Sequence, residues 1–178
     1  YLDTIVRHVG DIGKIVEEFV EFAKIPSPKL KKCNLEKIIL ESMLLFQSAF
    51  KDIDYKFEPH DGKIYTLCDS GQISQVITNL LKNATESVTQ KGVHGLVKIS
   101  TQLQDEKFIL VAIEDNGMGF DKEILDRAFE PYVTTKSEGT GLGLAIVRKI
   151  IEDHGGQLKI ANTNTGAVIT FTLQLKGE

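Results

Sequence analysis

The chain has 178 residues, 42% of them hydrophobic and 26% charged, a balance that suits one folded domain with a short appendage and excludes a disordered polymer. A formal net charge of −4, no Trp and 7% aromatic residues argue against a general nucleic-acid binder and against a stacking platform for single strands. No apolar run approaches the roughly 18–20 residues of a membrane helix, and no signal-peptide pattern opens the chain.

Ile5, Val9, Ile12, Val16, Phe19 and Ala23 recur at alternating steps of four and three, a heptad seam on a helix. One helix cannot bury such a seam alone. It either lies on its own domain or joins partner helices in a bundle, and the 3.5-residue period favours the bundle. The chain opens inside this helix and without Met, so a longer parent protein is expected. Ile25-Pro26-Ser27-Pro28 stops the helix, because proline cannot continue it and pushes the residue before it towards extended structure. The domain boundary falls after this stop, with residues 1–33 on one side and 34–178 on the other.

Asn34 is placed to cap a helix running to about Lys51, with Glu36 suited to the helix dipole. Residues 53–58 alternate as a strand, and 63–68 read as a second strand after the Asp61-Gly62 turn. Cys33 and Cys68 lack metal-ligand spacing and read as ordinary reduced thiols. Asp69 or Ser70 caps a long helix to about Thr89. Strands are expected over 96–103 and 108–114, joined around Asp105. Asp121 then opens a short helix, 130–140 reads as a loop, and 141–154 reads as a helix ended by Gly155-Gly156. Residues 157–161 and 167–175 close the chain as a hairpin around Asn164-Thr165-Gly166. Helices interleaved with hairpins predict an α/β two-layer sandwich, a mixed sheet with helices on one face.

Four segments carry chemistry. In Gln75-Val76-Ile77-Thr78-Asn79-Leu80-Leu81-Lys82-Asn83-Ala84-Thr85-Glu86, an apolar face of Val76, Ile77, Leu80, Leu81 and Ala84 backs a polar stripe of Gln75, Asn79, Lys82, Asn83 and Glu86. Two Asn residues one turn apart suit a hydrated Mg²⁺ and its phosphates, although exposed helix residues would read the same way. In Glu114-Asp115-Asn116-Gly117-Met118-Gly119-Phe120, an Asp at a strand end meets a tight glycine turn that lets a ligand come close. Phe129-Glu130-Pro131-Tyr132-Val133-Thr134-Thr135-Lys136 is an apolar anchor followed by hydroxyls and a Lys. In Gly139-Thr140-Gly141-Leu142-Gly143-Leu144, glycines alternate into a helix start, whose backbone N–H groups bind anions. The spacing is neither that of the Walker A loop nor that of the dinucleotide fingerprint.

In this order the four segments resemble the N, G1, F and G2 boxes of the catalytic domain of sensor histidine kinases, within the Bergerat-fold (GHKL) ATPases shared with gyrase-type and heat-shock-chaperone-type enzymes. The resemblance covers residues 34–176. Residues 1–33 resemble the second helix of the dimerisation and histidine-phosphotransfer hairpin. Glu18-Phe19-Val20-Glu21-Phe22-Ala23-Lys24-Ile25-Pro26 and the Thr-Thr-Lys ending of the third segment are most similar to nitrogen-regulation kinases of the NtrY and NtrB type.

The resemblance implies ATP and Mg²⁺ as cofactors. Asn83 would hold Mg²⁺ and Asn79 would line the phosphate side. Asp115 would accept a hydrogen bond from the adenine amino group, Gly119 would let the base pack closely, and Gly117 belongs to the same ATP-binding turn. Phe129 would anchor a lid carrying Thr134, Thr135 and Lys136, with Lys136 reaching the phosphates. Gly139, Thr140, Gly141, Leu142, Gly143 and Leu144 would close the lid and aim helix N–H groups at the triphosphate. The implied partners are a response regulator receiver domain and a second copy of the parent protein, in a cytoplasmic setting, with no nucleic acid and with membrane contact only through segments outside this chain.

Two departures qualify this pattern. Hydrolysing relatives carry a Glu one turn before the metal-binding Asn, and here that position is Asn79, which cannot act as a general base. Many histidine kinases carry a Lys three residues after that Asn. Here Glu86 stands there, leaving Lys82 and Lys136 as phosphate contacts. The catalytic set implied is therefore Asn79, Lys82 and Lys136, suited to phosphoryl transfer more than to hydrolysis. None of His8, His60, His94 and His154 has the acidic residue and Pro that follow the family's phosphoacceptor, so that His is expected on a helix outside the chain. Two alternatives remain: a degenerate nucleotide-binding or dimerisation module without transfer, and a serine-directed kinase of the same fold.

Overall fold

The computed structural model describes residues 10, 13, 16, 19, 20, 23–134 and 139–176. The helix carrying the heptad ends at Ala23, immediately before the proline stop. Ile5, Val9 and Ile12 lie outside the described residues. The described part of the seam, Val16, Phe19 and Ala23, is exposed.

Beyond the linker come strand β1 (Lys31–Asn34), helix α1 (Leu35–Ala49), strands β2 (Ile53–Glu58) and β3 (Tyr65–Cys68), and helix α2 (Ser70–Lys91). Strands β4 (Gly95–Leu103) and β5 (Phe108–Asp115), helices α3 (Lys122–Leu125) and α4 (Gly143–Asp153), and strands β6 (Leu158–Asn162) and β7 (Ala167–Gln174) complete the chain. The main sheet has the order β2-β4-β5-β7-β6. Among the described residues only β2 and β4 are paired in parallel, and the crossover between them contains α2. Strands β1 and β3 form a separate antiparallel pair, joined to the main sheet by a bridge between Thr66 and Leu175.

The period of the burial explains the two layers. Val97 and Ile99 on β4, Ile109, Val111 and Ile113 on β5, and Ile169, Phe171 and Leu173 on β7 are all nearly inaccessible. They share a core with Ile73, Val76, Ile77, Leu80 and Leu81 of α2 and with Val147, Ile150 and Ile151 of α4. Each such side chain contributes roughly 1.5–3 kcal/mol by leaving water. The expected apolar face of α2 is therefore buried as one stripe, and its opposite stripe is left for polar residues.

Caps fix where the helices begin. Asn34 Oδ1 accepts from the Lys37 amide at 3.1 Å. At α2 the cap is Asp69 and not Ser70: Asp69 Oδ1 accepts from the amides of Gly71 (3.1 Å) and Gln72 (3.2 Å). Asp69 Oδ2 also accepts from the Lys29 amide at 3.0 Å, and Gln72 donates from Nε2 to the Pro26 carbonyl at 2.8 Å, so the linker is tied to the start of α2. His154, at the end of α4, is buried: its Nδ1 lies 2.7 Å from the Ile150 carbonyl while Nε2 accepts from the Asp69 amide at 3.0 Å. That pairing is a structural role for His154.

Three expectations need correction. Strands β2 and β3 do not form a hairpin around Asp61-Gly62; β2 pairs with β4, and β3 pairs with β1. Residues 31–33, placed in the linker, lie in a strand against β3, and the hydrogen-bonded ladder offsets the lack of apolar alternation in Lys-Lys-Cys-Asn. The helix expected from Gly141 begins at Gly143.

Candidate functional site

A cavity of about 850 Å³ opens between α2, the loop after β5 and the start of α4. Its walls include Gln75, Asn79, Lys82, Asn83 and Glu86, the whole polar stripe expected on α2. Asp115 ends β5, and Met118, Gly119 and Phe120 come from the loop after it. Val133, Thr134, Gly139, Thr140, Gly141, Gly143 and Leu144 come from the segment leading into α4. Ile113, Ile124, Ala128, Ile146 and Ile169 add an apolar floor. The site thus has an amide-rich side, an apolar slot and a helix N-terminus, all facing one space.

Asp115, the last residue of β5, is 8% exposed. Its Oδ1 accepts from the Gly117 amide at 2.8 Å and, at the limit of hydrogen bonding, from Ser87 Oγ at 3.5 Å. Burial pushes this carboxyl above its ordinary value; the Gly117, Ser87 and Ala167 hydrogen bonds and the nearby Lys91 charge oppose the shift. A carboxylate offers about four lone-pair sites, so these bonds leave it acceptor capacity towards the cavity.

The loop after Asp115 is held at almost every residue. Asn116 Oδ1 accepts from the Leu96 amide (2.8 Å), and its Nδ2 donates to the His94 carbonyl (3.0 Å). Met118 donates its amide to Ser87 Oγ at 2.9 Å. Asn162 brackets Phe120, accepting from its amide at 2.8 Å and donating to its carbonyl at 2.7 Å. Gly117 must be glycine: a Cβ there would sit on Ser87 Oγ and within 2.6–2.7 Å of the α2 backbone at Ser87 and Val88.

At the far wall, Gly143 and Leu144 of the first turn of α4 line the cavity, and the cap residue Leu142 offers that turn no side-chain acceptor. Gly141, with φ +69°, packs against the backbone of Tyr132, whose amide donates to the Gly141 carbonyl at 3.1 Å. Tyr132 itself has φ 67°, a strained value for a residue with a side chain. The third and fourth segments are thereby clasped at their bases.

Most of the sequence-selected residues meet at this cavity, and three do not line it. Gly117 packs on α2, Leu142 is fully buried, and Phe129 is half-buried away from the lining. Thr135 and Lys136 lie outside the described residues. Ser87, Lys91, Met118 and Asn162 escaped the sequence reading. Ser87 falls one turn after Asn83 on the same stripe, which was a usable signal; Lys91 and Asn162 gave none, because a Lys at a helix end and an Asn at a strand end are ordinary surface residues.

Comparison with known proteins places this geometry. Residues 68–177 match the family described as histidine kinase-, DNA gyrase B- and HSP90-like ATPases. An NtrY-like sensor histidine kinase of Rickettsia conorii is 43% identical over 177 residues, 99% of this chain and 29% of that protein. The chain therefore spans less than a third of the length of such curated relatives. The nucleotide-free catalytic domain of the histidine kinase ThkA is 34% identical, with a TM-score of 0.74 over 82% of this chain and 95% of that one. ThkA in complex with the response regulator TrrA is 28% identical, with a TM-score of 0.79 over 99% of this chain and 51% of that one.

Proposed function

The chain belongs to the histidine kinase-, DNA gyrase B- and HSP90-like ATPase family, and from that premise we propose that it is the ATPase domain of an NtrY-like sensor histidine kinase. The parent protein moves the γ-phosphoryl of ATP to a histidine outside this chain, and from there to an aspartate on the receiver domain of a response regulator. The observation that carries the reading is the buried Asp115 carboxylate, aimed into a cavity whose other walls are an amide stripe and an uncapped helix N-terminus.

The residues fit adenine at one end. Asp115 accepts from the 6-amino group while Ile113, Ile124 and Ile169 exclude water from the ring. They fit phosphates at the other, where the N–H groups of Gly143 and Leu144 would stabilise negative charge and the exposed Lys82 adds a cation. Asn83, with Asn79 beside it, is the side chain suited to Mg²⁺. Among the described residues no three His, Cys, Asp or Glu side chains gather, so the ion would take its other ligands from phosphate and water. When bound, it supplies charge neutralisation on the phosphate oxygens.

Asn79 stands where a hydrolysing enzyme would keep a carboxylate, so that position gives water no general base. The chain's contribution is positioning and electrostatics, which suffice for phosphoryl transfer when the acceptor is itself a nucleophile. The resemblance of residues 1–33 to a hairpin helix, and their exposed Val16 and Phe19, support assembly as a homodimer of the parent protein. Among the described residues no helix is long and apolar enough to cross a membrane.

The test uses the full-length parent protein and γ-labelled ATP. Acid-labile, base-stable label on the protein is the expected result. Acid-stable label would favour the serine-directed alternative, and release of free phosphate without protein label would overturn transfer altogether.

A further inference from the structure

Lys91 closes α2 and reaches across to two other elements. Its Nζ lies 2.8 Å from the Asn116 carbonyl, 2.9 Å from the Gly117 carbonyl and 2.5 Å from the Thr165 carbonyl. All three donor positions of the ammonium are therefore used, and all on backbone oxygens. Two of those oxygens belong to the loop that follows Asp115, and the third belongs to the turn between β6 and β7. No cavity-lining side chain takes part, so the contact is separate from the walls described above.

The geometry points to Lys91 as a positioning residue that sets the nucleobase selectivity of the site: it holds the Asp115 loop between α2 and the β6–β7 turn, so that the carboxylate meets the base at a fixed place. Charge-assisted bonds are about twice as strong as neutral ones, and three of them converge on one atom here. Without the ammonium, three carbonyl dipoles would point at one another and the loop would move apart. The Gly117 and Met118 amides, which bond to Asp115 and Ser87, would lose their fixed geometry with it. Lys91 does this through Asp115 and touches no reacting atom. The inference rests on the ATP-site reading above.

The experiment compares the chain with Lys91→Met, which keeps the aliphatic stem, and Lys91→Arg, whose planar fork cannot bring three donors to one point. Affinity is measured for ATP and for ITP, which carries an acceptor oxygen in place of the 6-amino group. The parent chain binds ATP in preference to ITP. In Lys91→Met the ATP affinity falls by about tenfold, as expected if one molecule in ten keeps the competent loop. ITP, which gains nothing from Asp115, changes by less than about threefold on the same reasoning, so the preference narrows. Lys91→Arg falls between the two. Amide hydrogen exchange in the folded variants reports the same loop: Gly117 and Met118 exchange faster while β4 and β5 do not. Equal losses for both nucleotides alongside a general rise in exchange would show a purely structural role and overturn the inference. Unchanged preference in a folded Lys91→Met would also overturn it, leaving the ATP site intact. Failure of the parent chain to bind either nucleotide would remove the site and this inference together.

Discussion

The same substitution in two glycine-rich segments should destabilise at one and not at the other. At Gly117 an added Cβ meets Ser87 Oγ, and it lies 2.6 Å from the Ser87 carbonyl carbon and 2.7 Å from the Val88 amide nitrogen. Two of the three neighbours are α2 backbone, which no rotamer change can move. Gly117→Ala therefore forces the loop after β5 away from α2 and breaks the Met118–Ser87 bond. Overpacking of this kind costs about 1–3 kcal/mol. At about 2–4 °C per kcal/mol for a chain of this size, the midpoint should drop by roughly 2–12 °C. At Gly143 nothing lies within 4 Å of an added Cβ and the residue opens α4. Gly143→Ala should leave stability unchanged or raise it by up to about 1 kcal/mol, through lower backbone entropy in the unfolded chain. Thermal and urea melts followed by circular dichroism read both. An unchanged midpoint for Gly117→Ala, or a larger loss at Gly143, would refute the packing argument.

Three further outcomes follow from the same geometry. Because burial raises the Asp115 carboxyl above 3.8, the folded chain holds that proton more tightly than the unfolded one. The stability linked to Asp115 is thus present at acid pH and is lost as pH rises through the raised value; Asp115→Asn should remove that decline, visible as a changed slope of unfolding free energy above about pH 4. Asp69 is shifted the other way, lowered first by the Lys29 amide and then by those of Gln72 and Gly71. Its contribution is present above 3.8 and disappears as pH falls through the lower folded value, so Asp69→Ala should cost about 1 kcal/mol at neutral pH and progressively less in acid. Asn83→Ala should bring ATP affinity in Mg²⁺ down to the level seen with a chelator; a metal response that survives the substitution would remove Asn83 from the ion's ligands.

The sequence made local structure legible where one face of an element is buried. The apolar residues of α2 repeat at helical spacing, and those of β4, β5 and β7 alternate, so type and span came out within a few residues. Pairing was less legible: β2 looked like half of a hairpin because a turn follows it, yet its partner is β4, brought alongside by the crossover through α2. Nothing within residues 53–68 encodes that partner. Strand β1 was invisible because its four residues are held by backbone bonds to β3 and not by apolar alternation. In the site, residues that face the cavity from a regular element were readable by spacing. Leu142 was grouped with them because it sits among the glycines, but its apolar side chain turns into the core. Lys91 carries no signal in the sequence, because its partners are carbonyls from positions 116, 117 and 165, contacts that exist only once the chain is folded.

The central claim is that a buried Asp115 reads the base of a Mg²⁺-dependent ATP site. Calorimetric titration of ATP into this chain, with and without Mg²⁺, tests it most directly when Asp115→Asn is run beside the parent. In the variant the amide oxygen keeps the Gly117 bond and the amino group faces the cavity, setting a donor against the 6-amino donor of adenine. The account predicts Mg²⁺-enhanced binding by the parent and an affinity weaker by roughly a hundredfold in the variant, the worth of a charged hydrogen bond plus the mismatch left behind. Equal ATP affinity in parent and variant would contradict it.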